Sequence, residues 1–459
     1  MSCKKLVEVD GPSTSMNSDI VYAMDATAIA VLTNIYANNM GNATDKIASM
    51  SLFPGLSADE LKLFSGVSDP IYLFYYQNNL SSSVTGPMDY WVTLYNTVFV
   101  TNAAIEGLNS SKTLTPSVKK QLLGEAKFMR AFCYFYLVNL YGDVPLNLTT
   151  DYKANGMRPR TDKGKVYEQI MTDLKDAQGL LSDEYLNASM TITEERVRPN
   201  KSVASAMLAR VYLYTGRNTE AEAEATSIIT NKKVYDMVTL NQVFLKNSLE
   251  TIWALQPTST GTDANTGEGR LFILTSLSPP SPTLNPVYLQ DNLVGSFEAT
   301  DKRKSAWIGK YIDPDQNSNI YHYSYKYQVR AVEAPTTEYS VVFRLAEQYL
   351  IRAEARVKQG NIDGAASDLN IIRKRAGLEP TTAITQEGLI GAILNERRWE
   401  LFTEWGHRWF DLKRTGKVDE IMQQIKGTYW QTTDQLYPIP QTELNGNPNI
   451  RGYQNPGYD

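Results

Sequence analysis

The chain has 459 residues, 42% hydrophobic and 21% charged, with a net charge of −5. That balance supports a sizeable core, excludes disorder over the bulk of the chain, and leaves no basic excess for general nucleic-acid binding. Only two histidines occur, His322 and His407, which disfavours His-rich metal sites and a Ser-His-Asp enzyme.

Two cysteines, Cys3 and Cys133, are too few for a disulfide scaffold. Cys3 precedes Lys4, Lys5 and a polar run from Asp10 to Ser15. No charged leader or apolar stretch stands before it. It therefore reads either as the acylation site of a bacterial lipoprotein whose leader has been removed, or as a free exposed cysteine. No run of 18 apolar residues would carry a helix across a bilayer.

Residues 19–38 are predicted to form a helix opened by Ser18 or Asp19, and residues 88–107 a second, with Trp91, Leu94, Tyr95, Val98 and Ile105 near helical spacing. Between them, 72–90 reads as an irregular segment rich in rings. The strongest helix is 117–141. Thr115 and Pro116 suit its N-cap and first turn, and Gly142 and Pro145 its end. Its apolar residues cover nearly the whole circumference, so it is predicted to be buried on all sides.

Residues 203–231 and 347–375 repeat at an offset of 144, which aligns Ala209 with Ala353, Gly216 with Gly360, Ala221 with Ala365 and Ile228 with Ile372. Each copy reads as helix, tight turn, helix. Small residues at the crossing and glycine at the turn are what a stacking helical hairpin needs, and the spacing is similar to tetratricopeptide repeats. Thr219 with Glu222 reads as a capping box, and Asn361 as the cap of the counterpart helix. Between the copies, 232–345 loses helical period. Thr251–Leu255 is strand-like, Ser278–Pro282 is a loop, and Trp307 to Tyr327 gathers Trp307, Tyr311, Tyr321, Tyr323, Tyr325 and Tyr327. An irregular insertion this rich in rings is expected to be functional.

Walker A, H-E-x-x-H, C-x-x-C and G-x-S-x-G patterns are all missing. Glu396, Glu400 and Glu404 share one helix face with Arg397, Arg398 and Arg408 nearby, the pattern of a structural ion network rather than a glycosidase pair. His407 reads as a capping or packing residue. Asp313 and Asp315, with Gln316 and Asn317, leave Ca²⁺ open against a plain solvated loop. No other cofactor is expected.

Three stretches then become recognisable together: GEAKFMRAFCYFYLVNLYGDVPL at 124–146, NERRWELFTEWGHRWFDLKRTG at 395–416, and LYPIPQTELNGNPNIRGYQNPGYD at 436–459. With RLAEQYLIRAEARVKQG at 344–360 and the Cys3 start, the chain resembles the SusD/RagB family of outer-membrane nutrient-binding lipoproteins. The resemblance implies an all-α core of four TPR-like helix pairs, with loop-rich insertions carrying short strands. It implies a lipoprotein tether over 1–18 and a single SusD-like domain over 19–459. The helices would fall at about 19–231 and 344–416, and the variable ligand-side insertions at about 65–90 and 232–343.

The family further implies acylation at Cys3, although Lys4 and Lys5 depart from the acidic residues often found there. It implies display on the outer membrane, a SusC-like TonB-dependent transporter as partner, and a non-catalytic role. The ligand would be a glycan held by aromatic rings, or a peptide as in some members; a glycoside hydrolase and a pure docking scaffold are the rival readings. Arg397, Glu400, Arg408, Trp409 and Asp411 match motif positions that join helices. The rings expected to hold ligand are Tyr75, Tyr76, Trp307, Tyr311 and Tyr321.

Overall fold

The computed structural model describes residues 18–39, 47–83, 90–258, 264–314, 319–331 and 333–458. Its principal helices are α1 (Asp25–Asn39), α2 (Pro70–Gln77), α3 (Tyr90–Ser110), α4 (Pro116–Tyr141), α5 (Lys163–Leu180), α6 (Lys201–Tyr214) and α7 (Asn218–Ile229). After a long insertion come α8 (Leu345–Lys358), α9 (Ile362–Arg375), α10 (Gln386–Leu401), α11 (His407–Arg414), α12 (Val418–Lys426) and α13 (Gln441–Gly446). Each helix from α4 to α10 packs against its predecessor, and α8 continues the stack directly on α7 across the insertion. This is the predicted all-α core of four helix pairs.

Local chemistry explains the helix ends. Pro116 opens α4, where a missing N–H costs nothing, and Gly142 ends it at φ +74° with its N–H on the Val138 carbonyl. As predicted, α4 is the central helix and buries residues on every side. It also buries ions. Glu125 pairs with Arg198 at 2.7 Å, and Arg130 with Asp173 at 2.6 Å.

The helix predicted over 19–38 is broken into Ser18–Val21 and α1 by a turn at 22–24. There Tyr22 lies flat against Gly107 of α3, where any Cβ would come within 2.1 Å of the ring. The segment 72–90, predicted irregular, is helical over Pro70–Gln77, with Asp69 capping the Ile71 N–H at 2.9 Å.

Both repeat copies form helical hairpins, turned by Gly216 at φ +73° and Gly360 at φ +83°. Asn361 caps α9 through the Gly364 N–H at 2.9 Å. The predicted Thr219–Glu222 capping box does not form. Thr219 instead donates to Gln359 at 2.8 Å, and Glu222 pairs with Arg356 at 2.7 Å. Stacking the two copies redirected both side chains to the interface between them.

Among the described residues, three two-stranded antiparallel sheets shape the insertions: β1 (Leu61–Leu63) with β3 (Val287–Leu289), β2 (Thr251–Leu255) with β6 (Ser340–Arg344), and β4 (Ile308–Ile312) with β5 (Ile320–Ser324). The β2–β6 pair is fully buried and closes the stem of the insertion beneath α4. Trp253 stacks on Phe343 at 5.9 Å and meets Phe128 and Phe132 of α4 edge-on, at 5.1 and 5.4 Å.

The expected ion network exists with different partners. Arg303 reaches Glu396 and Glu400 at 2.7 and 2.9 Å, Arg344 reaches Glu404 and Glu250 at 2.8 and 2.9 Å, and Lys326 holds Glu404. Arg397 turns instead to Asp411, and Arg398 and Arg408 both turn to Asp59. Burial by itself would raise the Glu400 carboxyl, but Arg375, Arg344 and Arg303 hold it well below the carboxylate range. These carboxylates are buried and each is paired with a cation.

Candidate functional site

Rings from two distant insertions converge through strand pairing. In a hairpin, residues two apart along a strand share a face, and cross-strand partners stand side by side. In β4–β5, Tyr311 pairs with Tyr321 and Gly309 with Tyr323, which puts Tyr311, Tyr321 and Tyr323 on one face. Gly309 is required there. A Cβ would lie 2.2 Å from the Tyr323 ring, so only glycine lets that ring lie across the strand. Tyr325 follows, with its ring centroid 6.0 Å from that of Tyr323.

The β1–β3 pair extends this face. Lys62 and Tyr288 are cross-strand partners, and the ammonium sits 5.7 Å from the Tyr288 ring. Tyr288 meets Tyr321 edge-on at 5.1 Å, and Phe64 meets Tyr321 at 5.6 Å. Lys62 is paired to the exposed Asp291 at 3.3 Å. Burial pulls Lys62 down, but Tyr288 and Asp291 more than offset it, so its amine stays charged. On the opposite hairpin face His322 is lowered by burial, helped by Lys304 and Lys310 and opposed by Asp291. It is the neutral imidazole at neutral pH. The result is a ring surface of Phe64, Tyr288, Tyr311, Tyr323 and Tyr325, all half-buried, with a charged pair beside it.

The five predicted rings divide. Trp307 has no exposed surface, so its expected role as a ligand platform is corrected to a core role. Its indole N–H donates to the Leu240 carbonyl at 3.1 Å, and Lys326, Arg375 and Arg344 lie over its ring. Tyr75 is likewise a core residue, 7% exposed, wedged between Phe53 at 4.7 Å and Tyr437 at 5.4 Å. The helical turn of α2 points Tyr75 inward and leaves its neighbour Tyr76 half-exposed, with the Lys426 ammonium 4.3 Å from the Tyr76 ring. Tyr321, at 8% exposure, supports Phe64 and Tyr288 from beneath. Tyr311 is half-exposed on the face itself.

Sequence reasoning missed Tyr288 and Phe64, because the β1–β3 pairing that brings them in has no local signal. The alternation of Tyr321, Tyr323 and Tyr325 was the available clue to the face. Cys3 lies outside the described residues, as do Asp315, Gln316 and Asn317. Asp313 is buried with its N–H on the Asn319 carbonyl at 2.9 Å. Among the described residues no cluster of three His, Cys, Asp or Glu is placed to hold a metal. Among them, too, no helix is long and apolar enough to cross a membrane.

Stacked helix pairs that carry a ring-lined surface on their insertions define a class, the helical-repeat scaffold with aromatic insertions. Residues 290–458 match the model described as the SusD family, and residues 15–213 the model described as starch-binding, associating with the outer membrane. The chain belongs to the SusD/RagB family. It is 24% identical to a SusD-like protein of Formosa agariphila, over 97% of this chain and 94% of that one. It is also 37% identical to the starch-binding protein SusD of Bacteroides thetaiotaomicron, over 26% of this chain and 21% of that one. Two solved structures share the fold: a SusD superfamily protein of Bacteroides vulgatus (TM-score 0.79, 21% identity, 93% and 97% covered) and a laminarin-binding SusD-like protein (TM-score 0.77, 24% identity, 95% and 99% covered).

Proposed function

We propose that this protein captures a glycan on the outer face of the outer membrane and passes it to a SusC-like TonB-dependent transporter, without cleaving it. In this reading a lipid on Cys3 holds the chain at the membrane. The observation that carries the proposal is the continuous ring face of Tyr288, Tyr311 and Tyr323 on paired strands. Pyranose rings present an apolar C–H side and a rim of hydroxyls. Half-exposed tyrosines cover the first and donate to the second, and Lys62 with Asp291 stands beside them for further hydroxyls.

The expected strength follows from the number of rings. At about 1 kcal/mol each, three stacked tyrosines and a few hydrogen bonds give affinity in the millimolar to micromolar range. Weak capture suits a protein that must release its cargo. Family membership, the starch-binding description of the N-terminal match and the laminarin-binding structural relative support a carbohydrate.

The test is a titration of the protein with a panel of soluble glycans that includes laminarin and amylopectin, with oligopeptides in parallel. The Tyr311→Ala/Tyr323→Ala variant should bind the retained glycan about 30-fold more weakly, from about 1 kcal/mol per ring. Retention of peptides with no glycan bound, or unchanged affinity in the variant, refutes the proposal. Release of sugars from any glycan on incubation refutes its non-catalytic part.

A further inference from the structure

We infer that a second groove, which shares no residue with the tyrosine surface, binds a neutral oligosaccharide. One wall is the outer face of α3. Val92, Tyr95, Asn96 and Phe99 fall there at helical spacing, with Val92 37% and Phe99 48% exposed. The facing wall carries Tyr152, 73% exposed on the short helix Tyr152–Asn155, and the segment from Thr442 to Ile450. The space between them is about 410 Å³, within the range of small-ligand sites.

The floor is rigid. The Tyr95 hydroxyl donates to the Pro145 carbonyl at 2.6 Å, and its ring is braced by Trp91 at 4.9 Å and Tyr134 at 6.3 Å. A fixed floor loses little conformational entropy when a ring stacks on it. Tyr152 stands exposed on the other side, with the Lys153 ammonium 5.9 Å from its ring.

The polar inventory selects the occupant. Among the described residues lining the groove, Glu443 is the only charged side chain. Those lining residues include no cation to neutralise a phosphate, sulfate or carboxylate; the Lys153 ammonium, 5.9 Å from the Tyr152 ring, is not one of them. Asn96 and Thr442 are exposed at the rim and offer both donors and acceptors. Apolar and aromatic walls with exposed neutral hydrogen-bonding groups complement a molecule with apolar faces and many hydroxyls. A neutral sugar chain meets that description. An apolar peptide segment would make no use of the exposed Asn96 and Thr442.

The experiment separates this site from the tyrosine surface. Wild-type protein, the Tyr311→Ala/Tyr323→Ala variant, the Phe99→Ser/Tyr152→Ala variant and the combined variant are titrated calorimetrically with laminarihexaose, maltohexaose and cellohexaose. Circular dichroism confirms that each is folded; Phe99 and Tyr152 are exposed, so their loss leaves the core intact. Binding that persists in the Tyr311→Ala/Tyr323→Ala variant and weakens at least fivefold in the combined variant supports the groove. Residual binding indifferent to Phe99→Ser/Tyr152→Ala overturns it and leaves the tyrosine surface untouched. Binding that depends only on Phe99 and Tyr152 upholds the groove and removes the tyrosine surface as the capture site. No binding of any of the three sugars to wild type overturns the groove.

Discussion

Trp307→Ala distinguishes a ring that holds the protein together from a ring that holds its cargo. Trp307 is wholly buried, packs against Phe244 at 5.6 Å, and roofs the Arg344, Arg375 and Lys326 cations that anchor the ion network. Truncating a buried tryptophan to alanine costs about 3–5 kcal/mol in transfer and cavity terms. Losing the indole donor to the Leu240 carbonyl adds about 1 kcal/mol. The expected destabilisation is thus about 4–6 kcal/mol. Urea unfolding followed by tryptophan fluorescence and circular dichroism measures it, with the slope compared to wild type. Below the unfolding transition, glycan affinity should stay within about twofold of wild type, because no surface of Trp307 reaches a ligand. A variant of unchanged stability that has lost glycan binding would refute the assignment of Trp307 to the core.

Three further predictions use other parts of the molecule. Gly309→Ala forces the Tyr323 ring off the strand, since the new Cβ would sit 2.2 Å from it. Glycan affinity should fall about fivefold with stability changed by less than about 1 kcal/mol, read by titration and melting. Glu400→Gln leaves Arg303, Arg344 and Arg375 short of a buried carboxylate and should cost about 3–5 kcal/mol in urea unfolding. The exposed Glu420, 3.3 Å from Lys417, is the control, and its change to Gln should cost under about 1 kcal/mol; equal losses would refute the distinction. Glu60 is buried, and desolvation, helped by Asp59, lifts its carboxyl from 4.5 to about 8. The native state therefore holds a proton that the unfolded chain releases, so stability present below about pH 4.5 is lost as pH rises to about 8. Glu60→Gln should flatten that decline in midpoint-versus-pH curves, and an unchanged slope would refute it.

Much of the scaffold was legible in the sequence because its signals are local. Pro116 and Gly142 bracket α4, Asn361 caps α9, and Gly216 and Gly360 turn the two hairpins at positive φ, all within a few residues of where the effect occurs. The candidate surface was legible only as a region. Tyr75 and Tyr76 are adjacent and of the same residue type, yet one packs under Phe53 and the other opens outward, because a helix turns successive side chains by about 100°. Trp307 and Tyr311 stand in one ring-rich run, yet Trp307 is covered by Phe244, Arg344 and Arg375, which arrive from elsewhere in the chain. Phe64 and Tyr288 joined the surface through a strand pairing between two insertions far apart in sequence. Composition and repeat pattern by themselves determined that this chain stacks helix pairs and carries aromatic insertions. Which rings face solvent was decided by tertiary structure alone, since burial depends on what the rest of the chain lays over a residue and not on its neighbours along the backbone.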